Sequence, residues 1–282
     1  MAFVNCNIES CFNTALQLVK SAGNVFMEGF RKSLNVIYKH NLYADLVTEY
    51  DKKIEEILIT QLTKTYSNHK FIAEESTHTA AKLTEDPTWM IDPIDGTTNF
   101  VHKNPNCCIS VSFAVNKKLQ FGIVYSPVQN KMFTAQEGKG AYLNGKAIHV
   151  SKIEDLGKSL VAAEISMAQY APIHDEIMNR IDALILKSHG VRAIGSAALA
   201  MCYVATGELD AYHADHLQCW DYSAGSVIVK EAGGAVVNTD GSTFDVMQRK
   251  VIAACSDKLA VQIASAIKEA DTKLKEKNIK YD

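Results

Sequence analysis

The spacing of apolar residues predicts two helices and two short strands in the first part of the chain. Residues 8–32 carry apolar side chains at intervals of three and four, and residues 48–66 repeat that pattern beneath a charged face. This period predicts an amphipathic helix in each segment. Two short apolar runs follow, at residues 71–73 and 89–91, and each stops at acidic residues. We interpret both runs as buried strands that end at a functional edge.

Between residues 108 and 150 the pattern changes to strict alternation. Apolar residues alternate with smaller or polar ones, and turn-forming sequences such as 116–118 and 138–140 interrupt the pattern. Alternation with regularly spaced turns is typical of an antiparallel meander. The Asn144-Gly145 pair predicts its tightest hairpin.

From residue 160 onward, strand-like and helix-like periods alternate, which predicts layers of α and β structure. We divide the chain near residue 150 into two lobes of one folding unit. Residues 1–150 hold the first two helices, the meander and an acidic turn, and residues 151–282 form an α/β lobe that completes the functional site. The predicted strands of the second lobe are 160–165, 191–194, 209–213, 235–238 and 251–254, and its predicted helices are 173–187, 196–206, 221–232 and 257–277.

Charge and cysteine content narrow the class of protein. With 29 basic and 32 acidic residues, the chain has a formal net charge of −3, which excludes nucleic-acid binding through bulk charge. No apolar run approaches the roughly 20 residues of a membrane span, and the N-terminus lacks the pattern of a secretory signal. The seven cysteines are odd in number and include no C-x-x-C pair, which predicts reduced thiols. We expect a soluble cytoplasmic protein without a nucleic-acid or membrane partner.

The sharpest chemical feature is the sequence DPIDGTTNF at residues 92–100, directly after the predicted strand 89–91. Pro93 and Gly96 favour a tight turn that directs Asp92 and Asp95 to one side. Two adjacent carboxylates repel each other unless a cation lies between them, and hard divalent cations such as Mg²⁺ prefer oxygen ligands. The alternative is an ordinary turn with two solvated acids.

Two further acidic sites occupy comparable positions. Glu74-Glu75 ends the predicted strand 71–73, and Asp221 lies at the start of a predicted helix. Each site also has an interpretation without metal binding. The glutamates could belong to a solvated surface, and Asp221 could be a helix N-cap. All three sites lie at strand ends or helix starts, where α/β folds collect their ligands.

These motifs resemble the signatures of the inositol monophosphatase family, and most closely its animal members. The resemblance extends from about residue 8 to about residue 270 and rests on DLVTEYD at 45–51, EES at 74–76, DPIDGTTNF at 92–100 and WDYSAG at 220–225. It implies an α/β (α+β) fold, a layered α/β/α/β/α sandwich of the inositol monophosphatase / fructose-1,6-bisphosphatase-like type. It also implies a homodimer and lithium-sensitive, magnesium-dependent hydrolysis of inositol monophosphates to inositol and phosphate.

The resemblance assigns metal ligands and catalytic groups residue by residue. Glu74, Asp92 and the backbone carbonyl of Ile94 would hold a first Mg²⁺, and Asp92, Asp95 and Asp221 a second, with two or three ions in all. Thr97, next to Glu74, would orient or deprotonate the attacking water, so that Glu74, Asp95 and Thr97 form the catalytic group. Precise positioning of the reactants and bound cations can catalyse this reaction, because its transition state spreads negative charge over the phosphoryl oxygens.

The resemblance also assigns substrate contacts, with two departures. Gly96 and Thr97 would contact the phosphate, and Gly195, Ser196 and Ala197 the ring side. The family commonly has an acid that binds an inositol hydroxyl where this chain has Ala214, so Asp215 either takes over that role or the polyol is held less strongly. The second departure is Ala73, which stands where the family usually has a glycine before the two glutamates. The upstream lysine of the family aligns with Lys39. The full implied substrate-binding set is Glu74, Ile94, Asp95, Gly96, Thr97, Gly195, Ser196, Ala197, Asp215 and Asp221.

Two alternative functions stay open from the sequence. A sister phosphatase would act on an inositol polyphosphate, a nucleotide bisphosphate or a sugar phosphate, although such relatives usually carry longer insertions. A catalytically silent binding protein would have lost metal ligands, whereas all the implied ones are present. Cys219 lies beside the implied site, but we interpret it as a packing residue, since hydrolysis by metal-activated water needs no thiol.

Overall fold

The computed structural model describes residues 6–32, 36–38, 46–77 and 82–279. Lys39 and Asp45, which the sequence comparison singled out, lie outside these ranges. Within them the chain forms helical layers and two large sheets, together with a short antiparallel ribbon of β1 (Val36–Tyr38) and β2 (Leu46–Thr48).

The first outer layer consists of helices α1 (Ile8–Phe30) and α2 (Glu49–Thr65). The Asn7 side chain caps α1 by accepting a hydrogen bond from the backbone N–H of Ser10 at 3.0 Å. The apolar stripes of both helices pack against one face of a sheet. Both predicted helices are therefore confirmed, with ends within about two residues of those expected from the sequence.

The larger sheet has seven strands, ordered from β3 to β9 as in the sequence. Strands β3 and β4 are parallel, and every later neighbour is antiparallel, as the predicted meander requires. Asn144 and Gly145 form a two-residue hairpin with φ of 49° and 78°, the left-handed conformation that such turns need. The strands are β3 (Lys70–Ala73), β4 (Thr88–Asp95), β5 (Cys108–Val115), β6 (Lys118–Ser126), β7 (Lys131–Gln136), β8 (Ala141–Leu143) and β9 (Lys146–Ala147). A short helix, α3 (Thr97–Val101), follows β4 and was not predicted.

The second large sheet has five strands in the order β11-β10-β12-β14-β13. Strand β10 is parallel to β11 and β12, and β14 is antiparallel to β12 and β13. Helices α4 and α7 cover its outer face, and α5 and α6 lie between the two sheets. The strands are β10 (Leu160–Ala163), β11 (Gly190–Arg192), β12 (Ala211–Asp215), β13 (Ala235–Val237) and β14 (Lys250–Ala254), and the helices are α4 (Ala171–Lys187), α5 (Ala197–Ala205), α6 (Cys219–Glu231) and α7 (Asp257–Ile279).

The layers therefore run α/β/α/β/α, as the sequence resemblance implied. Helix α5 is buried along its whole length because it is covered on both sides. Helix α6 approaches β6 so closely that a Cβ on Gly122 would overlap the carbonyl oxygen of Ala224. This close contact fixes the start of α6 relative to the larger sheet. The division into lobes near residue 150 stays a prediction. None of the described helices is long and apolar enough to cross a membrane.

Candidate active site

Three carboxylates meet between the two sheets: Asp92 and Asp95 at the end of β4, and Asp221 in the first turn of α6. One carboxylate oxygen from each residue lies within 4.8 Å of the corresponding oxygens of the other two. We call this group the acidic cluster. The sequence placed these residues at strand ends and helix starts, and the structure brings them together.

A break in the β4–β5 pairing directs Asp92 and Asp95 to the same side. Asp92 pairs with Ser110 and Asp95 with Cys108, and the register shifts between the two pairs. The Ile94 N–H, freed from the ladder, donates to Asp92 Oδ1 at 3.0 Å. An irregularity of this kind re-aims side chains that would otherwise alternate between faces.

Gly96 directly follows β4 and occupies a position that suits no other residue well. Gly96 has a φ of 85°, and a Cβ there would lie 2.9 Å from the carbonyl oxygens of Asn106 and Gly195. Both the left-handed backbone and the close approach favour glycine. The turn therefore brings the start of α3 next to the acidic cluster.

The position of Asp221 corrects one prediction. Helix α6 begins two residues earlier than expected, at Cys219, so Gln218 is its N-cap and Asp221 is its third residue. Asp221 Oδ2 accepts a hydrogen bond from the Gln218 N–H at 2.5 Å, as the third residue of a capping box does. Asp221 therefore closes the helix start from inside the first turn and is not the N-cap.

Burial makes the acidic cluster hold protons tightly. It raises the pKa of Asp92 well above its usual range, and the nearby Glu74, Asp95 and Asp221 raise it further. Burial also raises the pKa of Asp95 to about 7, although hydrogen bonds from Ser196 and Ala198 oppose the shift. The pKa of Asp221 is raised by burial and then by Asp95 and Glu74. No lysine or arginine of the described residues forms a salt bridge with these three carboxylates.

Glu74 joins the acidic cluster from the end of β3. Its N–H donates to the carbonyl of Ile91 at 3.1 Å, which extends the β3–β4 pairing by one residue. Its carboxylate is near enough to Asp92 to share a hydrogen bond with it and to raise its pKa. The backbone N–H of the neighbouring Glu75 donates to Glu55 Oε2 at 2.8 Å, which ties this turn to α2.

Thr97 contacts an acid that the sequence analysis gave no catalytic role. Its hydroxyl lies 3.1 Å from Asp51 Oδ1 and 3.0 Å from the carbonyl oxygen of Ile94. These contacts add Asp51 beside Thr97, and the pairing of Thr97 with Glu74 around the attacking water stays a prediction. Burial raises the pKa of Asp51 to about 7, with hydrogen bonds from Thr48 opposing the shift and the charge of Glu74 adding to it.

The signal for Asp51 was present in the sequence as a helix cap. Thr48 and Asp51 form the capping box of α2, in which Asp51 Oδ2 accepts from the N–H and the hydroxyl of Thr48 at 2.8 and 2.5 Å. The capping role explains only one carboxylate oxygen. The other oxygen points to Thr97, a contact across 46 residues that the local pattern does not reveal.

The start of α5 binds Asp95. Ser196 Oγ donates to Asp95 Oδ2 at 2.6 Å, and the N–H of Ala198 donates to the same oxygen at 2.7 Å. The N–H of Ala197 lies 3.3 Å from Asp95 Oδ1. Ser196 and Ala197 are buried, and Gly195 precedes them with a φ of 72°. These residues hold a carboxylate of the acidic cluster in place, and their contact with the ring of a substrate stays a prediction.

Asp215 does not reach the acidic cluster, which corrects its assignment as a substrate ligand. It follows Ala214 on β12, and successive strand residues face opposite sides of a sheet. Ala214 faces α5 and α6, whereas Asp215 Oδ2 forms an ion pair of 2.6 Å with Arg180 of α4 and Oδ1 accepts from Thr239. A small backbone shift would not move the side chain to the other face.

The thiol beside the site is buried. Cys219 is 3% exposed, and burial raises the pKa of its thiol to about 12. A thiol that stays protonated in a packed environment is a poor nucleophile, which agrees with the predicted packing role.

Comparisons with known proteins agree with this geometry. The family model described as the inositol monophosphatase family matches residues 7–272. The chain is 44% identical to human inositol monophosphatase 1 over 262 residues, which cover 92% of this chain and 94% of that protein. It is 42% identical to rat inositol monophosphatase 2 over 92% of this chain and 90% of that one. Among solved structures, an IMPase of Thermotoga maritima superposes with a TM-score of 0.83 at 28% identity, over 94% of this chain and 99% of that chain.

Proposed function

The chain belongs to the inositol monophosphatase family, and from that premise we propose that it hydrolyses myo-inositol monophosphates to inositol and phosphate with Mg²⁺. It is a phosphatase, a metal-dependent phosphoric monoester hydrolase. The observation that carries the proposal is the acidic cluster, in which the buried Asp92 and Asp95 converge with the half-buried Asp221 without a cation from the described part of the protein.

The donor set fits Mg²⁺. Asp92, Asp95 and Asp221 offer only oxygen atoms, and Glu74 lies beside them. Hard divalent cations prefer such ligands, whereas softer metals prefer sulfur and imidazole. We assign Glu74, Asp92 and the Ile94 carbonyl to one ion and Asp92, Asp95 and Asp221 to another, with two or three ions in all. When bound, the metal supplies positive charge that activates water and stabilises the transition state of phosphoryl transfer.

Thr97 and Asp51 supply proton transfer from the chain itself. The Thr97 hydroxyl lies at the first residue of α3 and contacts Asp51 Oδ1. A water that donates to Thr97 Oγ can pass its proton through the hydroxyl to Asp51. A pKa of about 7 suits that step, because a general base works best near the operating pH.

The start of α3 suits the phosphate group. The first N–H groups of any helix have no partner within the helix. At α3 these groups belong to the segment that begins at Thr97, next to the acidic cluster. We therefore propose Gly96 and Thr97 as phosphate contacts.

One observation favours the alternative of a sister phosphatase. Ala214 offers no hydrogen-bonding group, and Asp215 faces the other side of the sheet, so neither residue holds a polyol. A substrate without a ring of hydroxyls would be affected less by that change. The substrate class is therefore the part of the proposal that needs the most direct test.

Phosphate release tests both alternatives. We expect the protein to release phosphate from myo-inositol 1-phosphate in the presence of Mg²⁺, faster than from nucleotide bisphosphates or sugar phosphates, and to lose activity when metal is chelated. Turnover that survives thorough chelation would contradict the metal-dependent mechanism. A preference for a nucleotide or sugar phosphate would identify the sister activity.

The variant Thr97→Ala tests the proton-transfer role. We expect turnover to fall by roughly 10²–10⁴-fold, the usual range for losing a positioned proton-transfer group. Thr98→Ala is the matched control, because Thr98 is the exposed neighbour in the same helix. Near-normal turnover of Thr97→Ala would leave Thr97 as a turn residue.

We also propose a cytoplasmic homodimer that is inhibited by lithium. All seven cysteines are free thiols, which supports a reducing compartment. The dimer and the lithium sensitivity rest on family membership. Light scattering on the purified protein and a lithium titration of phosphate release test these two properties.

A further inference from the structure

A glutamate on the strand next to Ala214 lies level with it on the same face of the five-stranded sheet. Strands β10 and β12 are parallel, with Ala162 opposite Tyr212 and Ala163 opposite His213. The N–H of Glu164 donates to the carbonyl of His213 at 3.3 Å, so the pairing continues one residue beyond β10. Glu164 is thus level with Ala214.

The core contacts show which way these side chains face. Ala162, Tyr212 and Ala214 all pack in the core that contains α5 and α6. Because alternate strand residues share a face, Glu164 follows Ala162 toward the same side. Neighbouring strands lie about 4.8 Å apart, and Ala214 carries only a methyl group. The Glu164 side chain therefore lies next to Ala214, the position at which β12 has no polar side chain on this face.

Glu164 lies near the acidic cluster but is not one of its three members. Its carboxylate is close enough to add to the raised pKa values of Asp95 and Asp221. Glu164 Oε1 accepts hydrogen bonds from the N–H groups of Ile165 and Ser166, both at 2.9 Å. Its other oxygen, Oε2, accepts no hydrogen bond from the described residues, and the side chain is half-buried.

A buried hydroxyl on the same face also lacks a partner. Tyr212 is 1% exposed, and its hydroxyl has no hydrogen-bond partner among the described residues. After burial, Glu164 and then Asp95 are the groups that most strongly raise the pKa of Tyr212. Buried polar atoms without partners are rare in folded proteins. Glu164 Oε2 and the Tyr212 hydroxyl are therefore two polar groups on this face that have no hydrogen-bond partner among the described residues.

We propose that Glu164 is a specificity-determining residue that accepts a hydrogen bond from a ring hydroxyl of a polyol phosphate. This inference rests on the proposed phosphatase function. A carboxylate oxygen only accepts hydrogen bonds and repels a phosphate, so it suits the hydroxyl-bearing part of the substrate. Glu164 supplies from β10 the acceptor that β12 lacks at Ala214.

Kinetics with two substrates test the proposal. We expect Glu164→Ala to raise the KM for myo-inositol 1-phosphate by about 10- to 100-fold, the effect of losing a hydrogen bond to a charged group. The KM for phenyl phosphate, which carries no hydroxyl groups on its ring, should stay unchanged, as should the Mg²⁺ concentration for half-maximal rate. Glu164→Gln keeps an amide oxygen as acceptor and should show a smaller rise. Glu176→Ala removes the same charge on the other side of the sheet and should leave both KM values unchanged.

Equilibrium binding keeps the test independent of turnover. We expect myo-inositol binding, measured by calorimetry in Mg²⁺, to weaken in Glu164→Ala and not in Glu176→Ala. A parent protein that releases no phosphate from either substrate would overturn the proposed function, and the binding comparison would still decide the role of Glu164. Equal KM changes for both substrates, a shifted Mg²⁺ requirement, or unchanged myo-inositol binding would overturn the role of Glu164.

Discussion

Two groups of acidic side chains lie on opposite sides of the five-stranded sheet, and within the described ranges only the outer group is paired with an arginine. On the outer side, Arg180 Nη1 contacts Asp215 Oδ2 at 2.6 Å and Glu176 Oε1 at 2.8 Å, and its Nε contacts Asp271 Oδ1 at 2.7 Å. We call this group the Arg180 cluster. On the inner side, the acidic cluster of Asp92, Asp95 and Asp221 forms no salt bridge with a described lysine or arginine.

This difference in charge pairing indicates that the two acidic groups have different roles. Buried carboxylates are destabilising unless a positive charge compensates them. In the Arg180 cluster the protein provides that charge, so the carboxylates join α4, β12 and α7. In the acidic cluster no lysine or arginine of the described residues provides that charge, and because the family is metal-dependent we expect a bound cation to provide it. Acidic residues alone therefore do not indicate a metal site, but acidic residues that no described lysine or arginine pairs with favour one.

The largest expected effect is on the Arg180 cluster. Arg180→Met leaves the buried Asp215 and the half-buried Asp271 without their cation, and breaking a buried ion pair costs about 3–5 kcal/mol. We expect the melting temperature to fall by about 5–15 °C, with the Mg²⁺ requirement of the remaining folded enzyme unchanged. Lys187→Met is the control, since Lys187 forms an exposed ion pair between the same two helices. Equal losses in the two variants would contradict a special role for Arg180.

The next effect is on the acidic cluster. Asp221→Asn removes one negative charge but keeps an oxygen that can accept from the Gln218 N–H. We expect turnover to fall by more than about 100-fold, beyond the 10- to 100-fold typical of groups behind the metal ligands. The melting temperature without metal should stay within a few degrees of the parent. Calorimetric unfolding and phosphate release on the same sample check both expectations, and normal turnover would leave Asp221 with only its capping role.

A smaller effect concerns pH. Asp95 has a pKa of about 7 in the folded protein against about 3.9 in an unfolded chain, so the folded state binds the proton more tightly. The stability of the metal-free protein should therefore fall as the pH rises between these two values. Melting curves across this range should show a decrease without metal and a flatter profile with Mg²⁺. A metal-free protein that becomes more stable over the same range would contradict the raised pKa.

Most of the fold follows from the sequence because long elements carry a clear apolar period. Helices α1 and α2, the meander and the strands of the second sheet all appear close to their predicted bounds. The short helix α3 was missed, since five residues are too few to show a period. Helix α6 was predicted two residues late, and this small difference changed Asp221 from an N-cap to the third helical residue.

The site was predictable where ligands follow a local motif and not where two distant segments meet. Asp92, Asp95 and Asp221 converge as expected. Asp51 entered the sequence analysis only as the last residue of a family motif, because its contact with Thr97 depends on how α2 packs beside β4. Asp215 was misassigned because one step along a strand reverses the face of the sheet.

The central claim is that the acidic cluster binds a divalent cation. The most direct measurement is a Mg²⁺ titration of the melting temperature of the metal-free protein near neutral pH, at constant ionic strength, beside Asp221→Asn. Saturation to about 100 times Kd stabilises a protein by about 2.7 kcal/mol, so we predict that the parent melts about 5–10 °C higher in saturating Mg²⁺ and that the variant shifts much less. A parent melting temperature that does not respond to Mg²⁺, or an equal shift in the variant, would contradict the claim.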